Sequence, residues 1–526
     1  MRSLSLVLAL AWAPCALAQQ DTTKHAVRQW TTYEDLQLFS QVLSELKLNH
    51  PDSLDTHTLV MSAIEGMVHA ADPHSFVIPA VRLNAAKEAD YRAGKLVPVP
   101  VEFVEVRGAY VVAGAASGSE AERLDILPGD RLVAIDSAPV RAESVVELEV
   151  MLSGAPKTTA LLTLERRRLD GSTVRLDRRL TRHSPDEESA VPAVFMLDPK
   201  TGYIRITTFL SDRAADDLHT ALGTLDRQGM QRLVLDLRDN GGGSIKQAAH
   251  VAGEFLPKGM LIYTSEGRKK DIIDTGRVSR SFFATRAKYP LVVMIDGGTA
   301  SASELVAGAL QDHDRALIIG RPSFGKALLM IPLAMSDGSS LMMVVGHVRT
   351  PCGRIVQRSY RGLALRDYYE GAWSSRDTTG RPGCKTDAGR TVYGGGGIVP
   401  DVLLPTHLGA PPWFERIEED RLVLQWIGGY LDAHGAQYTT LDAFAAAPTI
   451  PPEAIADFRT FVASHGDSAA TGDAADRLLG RGLALAVAYG KWGEPGYYHV
   501  AAVLDPDVTT ASHAFDRASE LLGPAR

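Results

Sequence analysis

The sequence has little of what marks several common protein classes. Only three of its 526 residues are cysteine, and neither H-E-x-x-H nor C-x-x-C occurs, so no metal site is expected. A net charge of -8 provides no basic surface for nucleic acid. Beyond the first residues, no apolar run approaches the 18 residues that would span a membrane, so stable membrane insertion is not expected.

The beginning of the chain has a composition of its own. Arg2 precedes an apolar run at residues 4–13, and the small-residue pattern Ala16-Leu17-Ala18 follows, which is typical of a cleavage site. We therefore predict a signal peptide at residues 1–18 and an exported protein, periplasmic or secreted. Cys15 leaves a lipoprotein as the alternative, against which the adjacent Pro14 and the cleavage pattern argue.

Two cysteines would remain after removal of the leader, Cys352 and Cys384. They flank an irregular, glycine-rich stretch, and an oxidising compartment favours a disulfide between them. Two unpaired thiols are the alternative.

A serine at a strand-to-helix turn is the first candidate for chemistry. The run Leu291 to Ile295 predicts a buried strand, Gly297-Gly298 breaks it, and a helix is expected to begin near Ser301 or Ser303. Backbone N–H groups are unpaired at such a helix start, and its dipole favours negative charge. A serine there can be an ordinary N-cap, or it can be a nucleophile beside an oxyanion site.

Lys326 is the candidate base for that serine. Its neighbours include Phe324, Leu328 and Leu329. An apolar pocket would disfavour the charged ammonium and lower the pKa of the lysine, leaving a neutral amine that can accept a proton. The alternative is an exposed lysine without a catalytic role.

A glycine-rich turn follows a second predicted core strand. Residues 233–238 predict the strand, residues 239–243 a tight turn, and residues 244–255 a helix. The same order occurs in nucleotide-binding folds, but the pattern G-x-G-x-x-G is absent.

Together these segments resemble a known family. The stretches G-T-A-S-A-S-E-L-V-A-G-A-L-Q-D, R-A-L-I-I-G and S-F-G-K look like those of the carboxy-terminal processing peptidases, or tail-specific proteases, which are serine peptidases with a PDZ domain. The resemblance covers about residues 30 to 410. It implies an α/β fold with a ClpP/crotonase-like protease core, polypeptide substrates and no cofactor.

The resemblance also implies roles for individual residues. Ser301 would be the nucleophile and Lys326 the general base, with Ser303 as the rival hydroxyl. The oxyanion hole would be formed by the N–H groups of Ala302 and of Gly242 or Gly243. Glycine suits this place because its backbone can approach a substrate closely.

One position departs from the family pattern. The family has a glutamine four residues after the lysine, which orients the amine, and this chain has Met330 there. A thioether is a weak acceptor and cannot take over that role. The alternative to an active Ser/Lys peptidase is therefore a weakened or inactive protease-like scaffold that binds peptides through its PDZ domain.

The pattern along the chain predicts five regions. These are the signal peptide at residues 1–18, an N-terminal helical region at 19–95, a PDZ domain at 96–182, the serine protease core at 190–410 and a C-terminal helical region at 411–526. The last region is expected to pack on the core or to form a homodimer contact.

Two details of these regions concern binding. Pro98 and Pro100 occupy the loop with which a PDZ domain holds a terminal carboxylate, and neither has an N–H to donate. The sequence therefore leaves two interpretations equally open: a PDZ domain that binds a terminal carboxylate, and a domain with a purely structural role. His74, in a D-P-H-S turn, is assigned a turn role and no chemistry.

Other hydrolase patterns fit poorly. Ser323 to Lys326 reads formally as S-x-x-K and Lys200 to Gly202 as K-T-G, but their order is the reverse of that in penicillin-binding proteins. No G-x-S-x-G elbow occurs, which disfavours an ordinary α/β-hydrolase.

Overall fold

A computed structural model of the chain describes residues 30–78, 87, 90–91, 93–115, 120–142, 144–182, 189–280, 289–371, 378–405 and 409–522. It divides the chain into two compact units, residues 1–68 and 69–526. The predicted signal peptide lies outside the described residues. Within those residues, no helix combines the length and the apolar character that crossing a bilayer requires.

The first unit contains helix α1 (Thr32–Asn49), and helix α2 (Thr56–Ala71) begins in it. A capping box starts α1, because Thr31 Oγ1 accepts from the Glu34 N–H and the Glu34 carboxylate accepts from the Thr31 N–H. None of the residues of α1 is buried, so its apolar side chains are at least partly exposed to solvent.

The second unit begins with strand β1 (Phe76–Ile78) and an antiparallel sheet. The sheet consists of β2 (Val101–Val106), β3 (Ala109–Ala115), β4 (Arg131–Ile135), β5 (Ala138–Pro139), β6 (Thr159–Arg167) and β7 (Thr173–Thr181), with helices α3 (Glu120–Arg123) and α4 (Val145–Leu152). The order is β2-β3-β4-β6-β7, with β5 beside β4. Strand β2 ends this order, and a groove of about 190 Å³ lies between β2 and α4.

The next part of the chain alternates strands and helices. Its strands are β8 (Ala193–Asp198), β9 (Thr201–Arg205), β10 (Arg232–Asp236), β11 (Leu261–Glu266), β12 (Ile272–Arg277), β13 (Leu291–Ile295), β14 (Leu317–Gly320), β15 (Leu328–Ala334), β16 (Ser340–Arg349), β17 (Gly383–Lys385), β18 (Thr391–Tyr393) and β19 (Val402–Leu403). Its helices are α5 (Ala214–Arg227), α6 (Ile245–Gly253), α7 (Ala302–Asp312) and α8 (Leu365–Glu370).

The central sheet has the order β19-β14-β13-β10-β9-β8. Its neighbours are parallel, except that β8 and β9 are antiparallel. Every residue of β13 and β14 is buried, as expected for parallel strands covered on both faces. A second sheet has the order β1-β16-β11-β12 with β15 beside β16, and β17 pairs with β18. The prediction of a mixed α/β protein is confirmed.

Helices complete the chain after residue 411. They are α9 (Pro412–Glu419), α10 (Leu422–His434), α11 (Leu441–Ala446), α12 (Pro452–Ser464), α13 (Asp473–Val503), α14 (Pro506–Ser512) and α15 (Phe515–Leu521), with a 3-10 turn at Gly435–Gln437. Trp426, Phe458 and Leu483 belong to a core of their own.

These last helices also cover one face of the central sheet. Leu233 and Leu235 of β10 pack into a core with residues of α5, α6 and α7. Val234, between them, points to the opposite face and packs in a core that includes Ala511 and Phe515. The C-terminal helices therefore form the third layer that a buried parallel sheet requires.

Candidate active site

Strand β13 leads into the turn that carries Ser301. Asp296 holds this turn, since its Oδ1 accepts from the N–H groups of Gly298 (3.0 Å) and Thr299 (3.1 Å). Ser301 is the N-cap of α7 and has φ of 55°, a conformation uncommon outside glycine. The turn thus places a partly accessible serine at the positive end of a helix dipole, where developing negative charge is stabilised.

Ser303 lies in a different environment. Its side chain is fully buried, and its Oγ donates to the carbonyl of Asn240 at 2.9 Å. This hydroxyl joins α7 to the glycine turn after β10. The contact gives Ser303 a structural role and leaves Ser301 as the hydroxyl that a substrate could reach.

Glu304 connects the serine turn (residues 296–301) to the lysine loop (residues 321–327). Its carboxylate is fully buried and accepts four hydrogen bonds. The donors are the N–H of Ser301 (2.9 Å) and of Lys326 (2.7 Å) at Oε2, and the N–H of Gly325 (2.7 Å) and Ser323 Oγ (2.5 Å) at Oε1. Burial raises the pKa of Glu304 to about 7, although these donors act to lower it. The backbones of Ser301 and Lys326 therefore share one carboxylate oxygen.

Lys326 follows β14 in a loop, with its side chain partly buried. Burial lowers the pKa of Lys326 from its ordinary value, and the charges of Glu304 and Asp72 oppose that shift. A lowered pKa increases the fraction of neutral amine, which is the form that a general base needs. Among the hydrogen bonds of the described residues, none joins Lys326 Nζ to Ser301 Oγ.

The glycine turn packs directly against the serine turn. A Cβ on Gly242 would lie 2.7 Å from the carbonyl oxygen of Ala300 and 2.8 Å from the nitrogen of Ala302. The N–H of Gly242 donates to Asn240 Oδ1 at 3.0 Å, so it is already engaged. Within the described part of the chain, the N–H groups of Gly243 and Ala302 have no acceptor. Of the two glycines expected at an oxyanion hole, Gly242 is therefore the one whose N–H is already engaged.

Residues 200–363, which contain both loops, match the family model described as Peptidase family S41. Within this segment, the chain is similar to the peptidases of family S41. The resemblance to the carboxy-terminal processing peptidases is thereby confirmed.

Relatives that are named carboxy-terminal processing peptidases or proteases support this resemblance. The chain is 36% identical over 253 residues to the Carboxyl-terminal-processing peptidase 2, chloroplastic, of Arabidopsis thaliana, and the matched region is 46% of each chain. It is 29% identical over 345 residues to the Carboxy-terminal-processing protease of Bartonella bacilliformis, which covers 65% of this chain and 76% of the relative. The chain thus spans less than half the length of the first relative.

A solved structure is also similar. The photosystem II D1 C-terminal processing protease has 25% sequence identity over 74% of this chain and 92% of its own, with a TM-score of 0.34.

A glutamine side chain contacts the lysine loop, although it is not at the position where the family has its glutamine. Met330 lies on β15, paired with Val344. Gln357 approaches from another part of the chain, and its Oε1 accepts from the N–H of Ala327, directly after Lys326. Its Nε2 donates to the hydroxyl of Tyr368 at 3.1 Å. Gln357 therefore fixes the backbone of the lysine loop.

An aromatic cluster borders the same loop. His74 Nε2 lies 2.8 Å from the Tyr368 hydroxyl, and both rings contact Phe324 edge-on. Burial, followed by the positive charges of Lys326 and Arg358, lowers the pKa of His74 to about 4. His74 is thus neutral near pH 7 and adds no charge beside the lysine.

Sequence reasoning missed Glu304, Gln357 and Tyr368. A signal existed for Glu304, because Ser301 to Glu304 reads as the capping box S-x-x-E. No local pattern marks Gln357 or Tyr368, whose importance arises from contacts with residues distant in sequence, Ala327 for Gln357 and His74 for Tyr368.

The two cysteines that follow the predicted leader form a disulfide. Cys352 and Cys384 are joined in the structure, with their Cα atoms 6.1 Å apart, a separation usual for disulfides. Cys384 lies on β17, which pairs with β18.

Proposed function

We propose that the protein is an exported serine endopeptidase of the carboxy-terminal processing type, which cleaves unfolded or tail-exposed polypeptides. Its core would be ClpP/crotonase-like, and residues 96–182 would form a PDZ domain. The observation that carries this proposal is the buried Glu304 carboxylate, which holds the backbones of Ser301 and Lys326 on one oxygen inside an S41 segment.

Each residue would have a defined part in the reaction. Neutral Lys326 would take the proton of Ser301 as the hydroxyl attacks a peptide carbonyl, and the resulting ammonium would give it to the amine that leaves as the acyl-enzyme forms. Water, deprotonated by the neutral Lys326, would then hydrolyse the acyl-enzyme and release Ser301. The N–H groups of Ala302 and Gly243 would stabilise the oxyanion. Because Lys326 and Ser301 are not hydrogen-bonded in the free chain, substrate binding is expected to bring their side chains together.

A non-cleaving scaffold is the second candidate. Met330 stands where the family has its orienting glutamine, and the dyad lacks a hydrogen bond in the free chain. Such a protein would bind extended polypeptides through the groove between β2 and α4.

Covalent labelling separates the two candidates. The full chain is incubated with a reduced, unfolded protein substrate, and a second sample is treated with a fluorophosphonate probe of activated serines. Peptidase activity predicts cleavage and a probe adduct on Ser301, located by mass spectrometry. An intact substrate and an unlabelled Ser301 would support the scaffold.

The pH dependence of kcat/KM tests the lysine as base. Activity is expected to rise with pH, because the burial-lowered pKa of Lys326 places the appearance of the neutral amine below its ordinary range. Below about pH 7, protonation of Glu304 removes an acceptor and lowers activity further. His74, with a pKa of about 4, does not titrate in this range. Constant kcat/KM between about pH 5 and pH 9 would contradict a lysine base.

Binding in the groove is expected to be independent of a free carboxylate. The N–H of Val97 donates to the Gly154 carbonyl and that of Val101 to the Val99 carbonyl, while Pro98 and Pro100 have none. Glu102 and Glu149 line the groove and would repel a carboxylate.

The measurement is a pair of dissociation constants on the full chain. A peptide with a free C-terminus and the same peptide with an amidated C-terminus are expected to bind within about threefold of each other. A preference of more than about tenfold for the free acid would show that the groove captures carboxylates.

A further inference from the structure

The C-terminal helices place two carboxylates against the loops of the proposed site. Asp505 is the N-cap of α14, since it accepts from the N–H of Asp507 at 2.8 Å. The side chains of Asp505 and Asp507 are 14% and 6% exposed, so both charges are largely removed from water. Their partners, Arg238 and Arg321, lie just after two strands of the central sheet, far away in sequence.

Asp505 pairs with Arg238, which follows β10. Arg238 Nη1 donates to Asp505 Oδ2 at 2.7 Å, while its Nε and Nη2 donate to Asp236. Two residues later, the carbonyl of Asn240 accepts from the N–H of Ala300 (3.0 Å). The ion pair is therefore two positions along the chain from Asn240, which joins the glycine turn to the serine turn.

Asp507 pairs with Arg321, which begins the lysine loop. Arg321 Nη1 donates to Asp507 Oδ2 at 2.7 Å, and its backbone N–H donates to the carbonyl of Ile295, the last residue of β13. Asp507 Oδ2 is also 3.8 Å from Arg238 Nη1. One carboxylate thus lies between the arginine of the glycine turn and the arginine of the lysine loop.

Burial makes these pairs more important than surface ion pairs. The side chains of Arg238 and Arg321 are 11% and 12% exposed. If Asp505 and Asp507 both lost their charges, Arg238 would keep Asp236, which it shares with Arg205, and Arg321 would keep the carbonyl of Pro405. A buried arginine that loses a carboxylate partner is less well compensated, and the surrounding backbone must move to hydrate it. The loss of both Asp505 and Asp507 should therefore displace the two loops and not only weaken the attachment of α14.

We infer that Asp505 and Asp507 are positioning residues of the proposed peptidase site, through which the C-terminal helices hold the glycine turn and the lysine loop in register. This inference rests on the proposed function. It assigns the C-terminal region a part in catalysis in addition to its cover of the central sheet.

The test uses three variants of the full chain, Asp505→Asn, Asp507→Asn and the double variant. Asparagine keeps the shape, and at position 505 it keeps the ability to cap α14, so the charge is what is lost. Asp516→Asn, on the exposed surface of α15, is the matched control. The double variant is expected to lose at least about tenfold in kcat with KM within about twofold, and the control is expected to keep both values. Equal kcat in the double variant and the control would overturn the inference.

Hydrogen exchange tests the inference independently of activity. In the double variant, residues 238–244 and 321–327 are expected to exchange faster than in the control, while β6 and β7 remain unchanged. Unchanged exchange in both loops would overturn the inference. If the wild type cleaves nothing, the proposed function fails, and the exchange of these loops still decides the positioning role.

Variants that keep the charge provide the last check. Asp505→Glu and Asp507→Glu are expected to recover most of the kcat lost in the corresponding asparagine variants, because the ion pairs can re-form. If these variants are as impaired as Asp505→Asn and Asp507→Asn, the charges are not what positions the loops. Should the double variant fail to fold, the same comparison is made with the single variants.

Discussion

Replacement of Ser301 by alanine is expected to reduce kcat by at least about 10⁴-fold, whereas Ser303→Ala should keep kcat within about fivefold. Ser301 is accessible at the start of α7 and shares the Glu304 carboxylate with Lys326. The Ser303 hydroxyl is fully buried and already donates to Asn240. Its loss should cost about 1 kcal/mol of stability, the usual value of one hydrogen bond.

The comparison needs kcat and a thermal unfolding midpoint for each variant. Ser303→Ala is expected to have a lower unfolding midpoint and a near-normal kcat, and Ser301→Ala a near-normal midpoint and a greatly reduced kcat. This result would separate a structural role from a catalytic one. Inactivation of Ser303→Ala with a normal midpoint would instead identify Ser303 as the nucleophile.

The second large effect is expected from Gly242→Ala, which should lower kcat by about 10² to 10³-fold. Gly242 has φ of +96°, where an L-residue is strained, and its added Cβ would meet Ala300, Ser301 and Ala302 at 2.7–2.9 Å. Two of these contacts are with backbone atoms, which cannot rotate away. The serine turn would have to shift, and the N–H of Ala302 would shift with it.

The neighbouring glycine provides the control. A Cβ on Gly241 meets no heavy atom within 4 Å, so Gly241→Ala should keep kcat within about twofold. The fluorophosphonate adduct on Ser301 measures the same effect without a substrate, and its rate should fall in Gly242→Ala. Equal rates in the two alanine variants would show that the glycine turn does not set the position of the serine.

Much of the central sheet follows from local patterns. The apolar run of β13, the glycines after it and the helical spacing of α7 predict a strand, a turn and a helix, and the structure has all three. Such patterns are readable because each element must bury its own apolar side chains. The neighbours of Lys326, among them Phe324 and Leu328, suggested an apolar pocket around it, and the family resemblance suggested its role as base.

Side-chain conformations and the burial of whole helices were beyond this reasoning. The engagement of the Gly242 N–H by Asn240 depends on the conformation of one side chain, which no spacing predicts. The apolar stripe on α1 indicated a helix, but it could not show that the helix buries none of its residues in the structure.

Local sequence was sufficient for the strand, turn and helix around Ser301 and for the resemblance to a family, because these depend on neighbours along the chain. The pairing of Ser301 with Lys326 stays a prediction. Only the folded chain brings Glu304 to both loops and sets Asp505 and Asp507 against Arg238 and Arg321. The physical reason is that a buried charge is stable only where its partners converge in space, and that convergence is a property of packing.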